Sequence, residues 1–246
     1  MIQDLHSHTY YSFCGADRPE DVVETAIEGG IELFGICDHN YGIGFGRADL
    51  FSSAAEDFSQ NYGRNLVRYF DHINLIREKY ADRIRILRGI EIATLKSARY
   101  AFPKGVDISF FDYCLVEHID TGNSSSYGDI FEYSKDLGCP VGVAHTDLFA
   151  HAKVLGIAPY DYFSKMAERG IFWEMNVNLD SIHKFREHGY MLRFFDSEEE
   201  QDIIRRSGVR LSVGFDGHRC NEYKADRVKE YCRKLEKIGI PMAFDK

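Results

Sequence analysis

Short apolar runs bounded by turn-forming residues recur along the chain at QDLHSH, LFGICDHN, ILRGIEIA, DYCLVEHI, PVGVAHTD, IFWEMNVN and RLSVGFDGH. Their length and composition suit strands. Longer segments of helical periodicity separate them. In the first, Pro19 suits an opening turn, Glu20 and Asp21 suit the positive helix end, and Val22, Val23, Ala26 and Ile27 make an apolar stripe that Gly29 and Gly30 stop. Similar segments lie at about 65–80, 128–137, 159–169, 197–206 and 222–237. Strands alternating with helices predict a parallel sheet with right-handed crossovers, and seven or eight such units in 246 residues favour a barrel over an open sheet. Residues 41–61 break this rhythm and read as a lid or a plain surface loop. Their Gly42, Gly44 and Gly46 lack the spacing of a dinucleotide fingerprint.

Polar residues alternate with the apolar ones in a way that bears on function. Ser212, Gly214, Asp216 and His218 share one face of the last strand, opposite Leu211, Val213 and Phe215. Glu174, Asn176 and Asn178 alternate in the same way with Trp173, Met175 and Val177. In the opening DLHSHT, strict alternation would put Asp4, His6 and His8 on one face together. A polar face inside a barrel needs partners, because an unpaired buried charge costs on the order of several kcal/mol.

The downstream strand ends carry His6 and His8, Asp38 and His39, Glu91, His118, His145, Glu174 and Asn176, and Asp216 and His218. Active sites of α/β barrels lie at those ends, so the residues should converge on one mouth. Imidazoles mixed with carboxylates suit Zn, Mn or Fe(II), and so many histidines argue against calcium or magnesium.

Composition narrows the classes. A chain 44% hydrophobic and 28% charged is an ordinary globular one, and its net charge of −9 gives no overall attraction for nucleic acid or an anionic membrane. No apolar run approaches membrane length and no secretory leader is evident, so a cytoplasmic location is expected. Six scattered cysteines without a CxxC pair fit reduced, mostly buried thiols.

The ordered series DLHSHT, ICDHN, RGIEI, VEHID, VAHTD, WEMN and VGFDGH resembles the PHP (polymerase and histidinol phosphatase) superfamily of metal-dependent phosphoesterases. The segment HINLIREKYADRIRILRGIEI is similar to the corresponding stretch of histidinol-phosphatase-type members. The resemblance implies a single α/β domain over residues 1–246, a distorted (β/α)7 TIM-like barrel holding two or three divalent transition metal ions. His6, His8, Glu91 and Asp216 match one metal site, with Glu91 as a bridge. Glu91, His118 and His145 match a second, and His39 and His218 match two ligands of a third, with Asp38 orienting His39. Many relatives carry a further histidine in a CGH-like turn. Here the turn reads Cys14, Gly15, Ala16, Asp17, so Asp17 substitutes one residue later or the third site is weak or empty.

The implied activity is hydrolysis of a small phosphomonoester, histidinol phosphate first, in histidine biosynthesis. Another small or nucleotide-like phosphoester, an amidohydrolase-like reaction, and an inactive metal-binding regulatory domain are the alternatives. Asp216, His218 and Asp17 are candidates for proton transfer, and Arg186, Arg219 and Lys153 for phosphate binding. Asp120 and Glu117 suit a substrate amino group. His72, His151, His183 and His188 read as structural or solvent-exposed. Oligomeric state has no signal in the sequence.

Overall fold

The computed structural model describes residues 1–45, 59–95, 101–126 and 129–245. Its strands are β1 (Gln3–Asp4), β2 (Leu33–His39), β3 (Arg85–Ala93), β4 (Tyr113–Glu117), β5 (Val141–Val143), β6 (Phe172–Asn176) and β7 (Leu211–Gly214). They pair in sequence order, every neighbour parallel. Bonds from Leu5 N–H to Val213 O (2.9 Å), Asp216 N–H to His6 O (2.7 Å) and His8 N–H to Gly217 O (2.8 Å) join the first strand to the last. The result is a nearly closed seven-stranded barrel.

Among the described residues the helices are α1 (Pro19–Glu28), α2 (Asn40–Phe45), α3 (Ser59–Lys79), α4 (Ile130–Tyr133), α5 (Leu148–Val154), α6 (Pro159–Glu168), α7 (Gly189–Asp196), α8 (Glu198–Ser207) and α9 (Ala225–Lys237). The segment expected at 128–137 is only one helical turn, capped by the Asp129 carboxylate and continued as a 3-10 turn at Ser134–Asp136. Of the irregular stretch 41–61, residues 41–45 belong to α2; its lid reading rests on residues 46–58, which lie outside those described. No helix among the described residues is long and apolar enough to cross a membrane.

Strand alternation sorts the apolar residues into two cores. Outward-facing Phe34, Ile36, Ile90, Val116, Trp173, Met175 and Val213 pack under the helices. Leu5, Leu33, Leu87, Tyr113, Leu115 and Phe172 fill the barrel's lower interior, each burial worth roughly 1.5–3 kcal/mol. Tyr113 fits because Gly35 and Gly89 face it: a Cβ on either would fall 2.1 Å from its Oη or 2.5 Å from its ring.

The first strand departs from simple alternation. Leu5 and His6 both end inside the barrel, and Asp4 does not join His6 and His8. Its carboxylate accepts from Phe215 N–H (2.9 Å), His6 N–H (3.1 Å) and Tyr223 Oη (2.7 Å) at the β1–β7 seam. With only two residues in β1, a side chain completes the bonding that a longer strand would supply from its backbone. Burial pushes the Asp4 pKa up to about 6 despite these bonds.

Candidate metal centre

The upper interior of the barrel is built from strand ends. His6 and His8 follow β1, His39 closes β2, Glu91 lies near the end of β3 and Glu117 closes β4. His145, Glu174 and the pair Asp216 and His218 come from the ends of β5, β6 and β7. Two of these residues adopt left-handed backbone, His145 at φ 22° and Asp216 at φ 55°, as does His118, just after β4, at φ 63°. Such conformations cost a non-glycine residue roughly 1–3 kcal/mol and concentrate at functional sites.

A second tier of polar groups fixes the imidazoles. His6 Nδ1 lies 2.7 Å from Glu174 Oε1, so the ring donates there and turns Nε2 inward. Gly214 makes this possible, since a Cβ at that position would stand 2.1 Å from Glu174 Oε1. His218 Nδ1 is likewise 2.9 Å from Asp180 Oδ2. For His8 the tautomer follows from proton counting. The Ser12 hydroxyl donates its one proton to Asp38 Oδ1 (2.7 Å), so it must accept from His8 Nδ1 (3.1 Å), leaving the His8 Nε2 lone pair free. Asp38 thus acts through Ser12 and Thr9 rather than on the His39 ring, while Ser12 Oγ also accepts from His39 N–H (2.9 Å). A carboxylate or hydroxyl on the far nitrogen is the usual support of a metal-binding histidine.

Four groups then face one another. His6 Nε2 lies 3.3 Å from Glu91 Oε1 and 3.5 Å from Asp216 Oδ1; His8 Nε2 lies 3.5 Å from Glu91 Oε2 and 3.0 Å from Asp216 Oδ1. Ligand bonds of about 2.0–2.1 Å in a tetrahedron put neighbouring donor atoms about 3.3 Å apart, so these spacings are those of atoms sharing an ion. Glu91 is central, since Oε1 also lies 3.1 Å from His145 Nε2 and Oε2 2.8 Å from His39 Nδ1. Glu117 approaches His39 (3.5 Å), His118 (2.9 Å) and His145 (3.9 Å).

The cluster does not satisfy itself. Burial, with His39 and His218 nearby, pushes His8 down to about pKa 3, and its Nε2 stands 3.0 Å from Asp216 Oδ1. His6 Nε2, His39 Nδ1 and Glu91 Oε2 are buried without a hydrogen-bond partner. Burial also disfavours the charged forms of Asp216 and Glu91, but the histidines outweigh it: His6 and His218 hold Asp216 well below its ordinary range, and His39 and His6 do so for Glu91. Among the described residues no lysine or arginine is ion-paired to these carboxylates. Overlapping triads have donor atoms within 4.8 Å of one another: His6, His8 and Asp216; His8, His39 and Glu91; Glu91, Glu117 and His145; His8, Cys14 and His218; Asp180, His183 and His218. The donor set therefore fits divalent transition metals.

His6, His8, His39, Glu91, His145, Asp216 and His218 come together as the sequence suggests, while His118 turns its Nε2 to Glu117. Asp17 stays outside, its Oδ2 accepting from Cys220 N–H (2.7 Å). Arg219 bonds Ser181 Oγ (3.2 Å), and Lys153 and Arg186 are exposed, none of them bonded to the cluster. His72 pairs with Tyr11 Oη, and His151 is buried on α5 against Tyr162. His183 and His188 are different, because the loop after β6 carries both to the cluster's rim. His183 Nε2 stands 3.3 Å from Asp216 Oδ2, and the His188 ring stacks on His145. That loop follows a strand end, and this position was the available signal. Cys14 had none beyond its turn.

The PHP domain family model matches residues 4–240. The fold is similar to that of histidinol phosphate phosphatase from Lactococcus lactis, solved with zinc, L-histidinol and phosphate: 18% identity over 98% of this chain and 95% of that one, with a TM-score of 0.58. It is also similar to the structures of YwqE from Bacillus subtilis and CpsB from Streptococcus pneumoniae, metal-dependent tyrosine phosphatases, at 16% identity, 96% and 87% coverage and a TM-score of 0.52. No curated protein sequence matches the chain.

Proposed function

The chain belongs to the PHP domain family, and from that premise we propose that it is a metal-dependent phosphoesterase acting on a small phosphomonoester, with histidinol phosphate as the leading substrate. The observation that carries the reading is the buried convergence of His6 Nε2 and His8 Nε2 on the Glu91 and Asp216 carboxylates at 3.0–3.5 Å, the spacing of donor atoms that share one ion. His6, His8, Glu91 and Asp216 would hold one ion, Glu91, His145, Glu117 and His118 a second, and His39 and His218 part of a third. Ions bound there supply a Lewis acid that activates water and offsets the phosphoryl charge.

The chain's own residues do the positioning. Glu91 shares each carboxylate oxygen between two histidines and so fixes the spacing of the centre. Glu174, Asp180 and Ser12 hold His6, His218 and His8 with one nitrogen turned inward. His183 and His188, on the open side, offer rings to the substrate beyond its phosphate. The solved L. lactis protein carries L-histidinol and phosphate, which supports the leading substrate; the tyrosine phosphatases support testing an aryl phosphate beside it.

Phosphate release from L-histidinol phosphate, phosphotyrosine and a panel of small esters, before chelation, after it and after metal return, tests the reading. Metal-dependent turnover of L-histidinol phosphate above the other esters is expected. Turnover of another ester alone replaces the substrate and keeps the chemistry. A metal-loaded protein inert to every ester overturns the enzymatic reading.

A further inference from the structure

Resting on the metal-centre reading above, we propose that Cys14 supplies a thiolate ligand to the third ion, beside His39 and His218, making this position a mixed nitrogen and sulfur site. The His218 and His39 rings neighbour the Cys14 thiol. Its sulfur and the ring nitrogens of His8 and His218 fall within 4.8 Å of one another. The three imidazoles stand side by side, His8 stacked between His39 (4.6 Å) and His218 (4.7 Å).

The loop is built to hold the sulfur there. Ala16 N–H donates to His218 O (3.0 Å), Tyr10 N–H to Asp17 O (2.8 Å) and Cys220 N–H to Asp17 Oδ2 (2.7 Å). Asp38 anchors Thr9 and Ser12 on the other side. Gly15 is required for the fold-back, since a Cβ there would lie 2.0 Å from Thr9 O. Two further observations point to an ion. His218 Nδ1 is fixed by the buried Asp180, which leaves Nε2 to serve as a donor. His39 Nδ1 and Glu91 Oε2, 2.8 Å apart, are both buried without a hydrogen-bond partner. Neighbouring positions offer no substitute: Ala16 has no donor side chain and Asp17 is committed to Cys220. A soft thiolate favours zinc or cobalt over manganese at this one position.

Wild type and Cys14→Ser, loaded separately with Co²⁺ and Zn²⁺, provide the test. Wild type should show a near-ultraviolet sulfur-to-cobalt charge-transfer band and, by zinc X-ray absorption, a sulfur scatterer at about 2.3 Å beside nitrogen and oxygen at about 2.0–2.1 Å. Cys14→Ser should lose both signals and about one ion per chain, keeping the cobalt d–d bands of the remaining ions. Cys37→Ala, a change at the buried thiol inside the barrel, should keep the charge-transfer band. Cobalt d–d bands with no sulfur signal in wild type would overturn the Cys14 assignment and leave the metal centre standing. Cobalt binding to neither protein would overturn the metal centre, and this assignment with it. The wild-type spectrum alone decides the point if Cys14→Ser does not fold.

Discussion

The lower and upper halves of the barrel interior are lined by the same inward-facing strand positions, yet they solve opposite problems. Below, Leu33, Leu87, Tyr113, Leu115 and Phe172 fill the space, and the one hydroxyl among these five donates to Leu5 O. Above, His6, His8, His39, Glu91, Glu117, His145 and Asp216 crowd together with buried donors and acceptors left over. The first half closes on its own contacts, and the second leaves donor atoms spaced for shared ions. Elsewhere the chain pairs partly buried charge directly, as where the Arg88 guanidinium grips both oxygens of Asp112 (2.9 and 2.8 Å). Buried carboxylates ion-paired only with histidines, among the described residues, mark a site rather than a packing solution.

Removing the shared carboxylate should break the comparison hardest. Glu91→Gln should lower kcat/KM on the order of 10⁴-fold, about 5.5 kcal/mol, in steady-state phosphate release, while circular dichroism of the metal-free protein stays native. The lower half should respond the other way. Phe172→Ala should cost about 3–5 kcal/mol in urea unfolding, with turnover per folded molecule unchanged. If the two changes had the same effect on stability and rate, the division into halves would be wrong.

Smaller changes sharpen the boundary. Glu174→Gln leaves every proposed ligand in place but weakens the orientation of His6, so metal affinity in a competition titration should fall by about 10–100-fold. The Asp112 pair gives the smallest effect and tests ordinary electrostatics. Burial pushes its carboxyl up, but the Arg88 hydrogen bonds outweigh that and hold it below the usual range. Its folded pKa is thus below its unfolded one, so its stabilisation is complete above the unfolded value of about 3.9 and is lost as pH falls through the folded value. Asp112→Asn should flatten the acid limb of the stability curve by about 1 kcal/mol, read by denaturation at a series of pH values.

Most of the barrel and much of its mouth were legible in the sequence because two periodicities carry them. Apolar runs of strand length mark seven strands in order, and alternation in the last two separates Glu174, Asn176 and Asp216 from Trp173, Met175 and Val213. What was illegible lies where periodicity ends. Asp4 follows the alternation of DLHSHT, yet a two-residue strand leaves it bonding the seam instead. His183 and His188 sit in a loop whose path is set by bonds such as His183 N–H to Asp180 Oδ1 (3.0 Å). Cys14 is placed by contacts between segments some 200 positions apart, a geometry that no local pattern encodes.

Elemental analysis of untagged protein, purified under metal-replete conditions, tests the central claim most directly. The account predicts two to three transition-metal ions per chain, fewer in Glu91→Gln, all removable by chelation with the fold retained. A wild-type chain that is correctly folded and carries no transition metal under those conditions would contradict it.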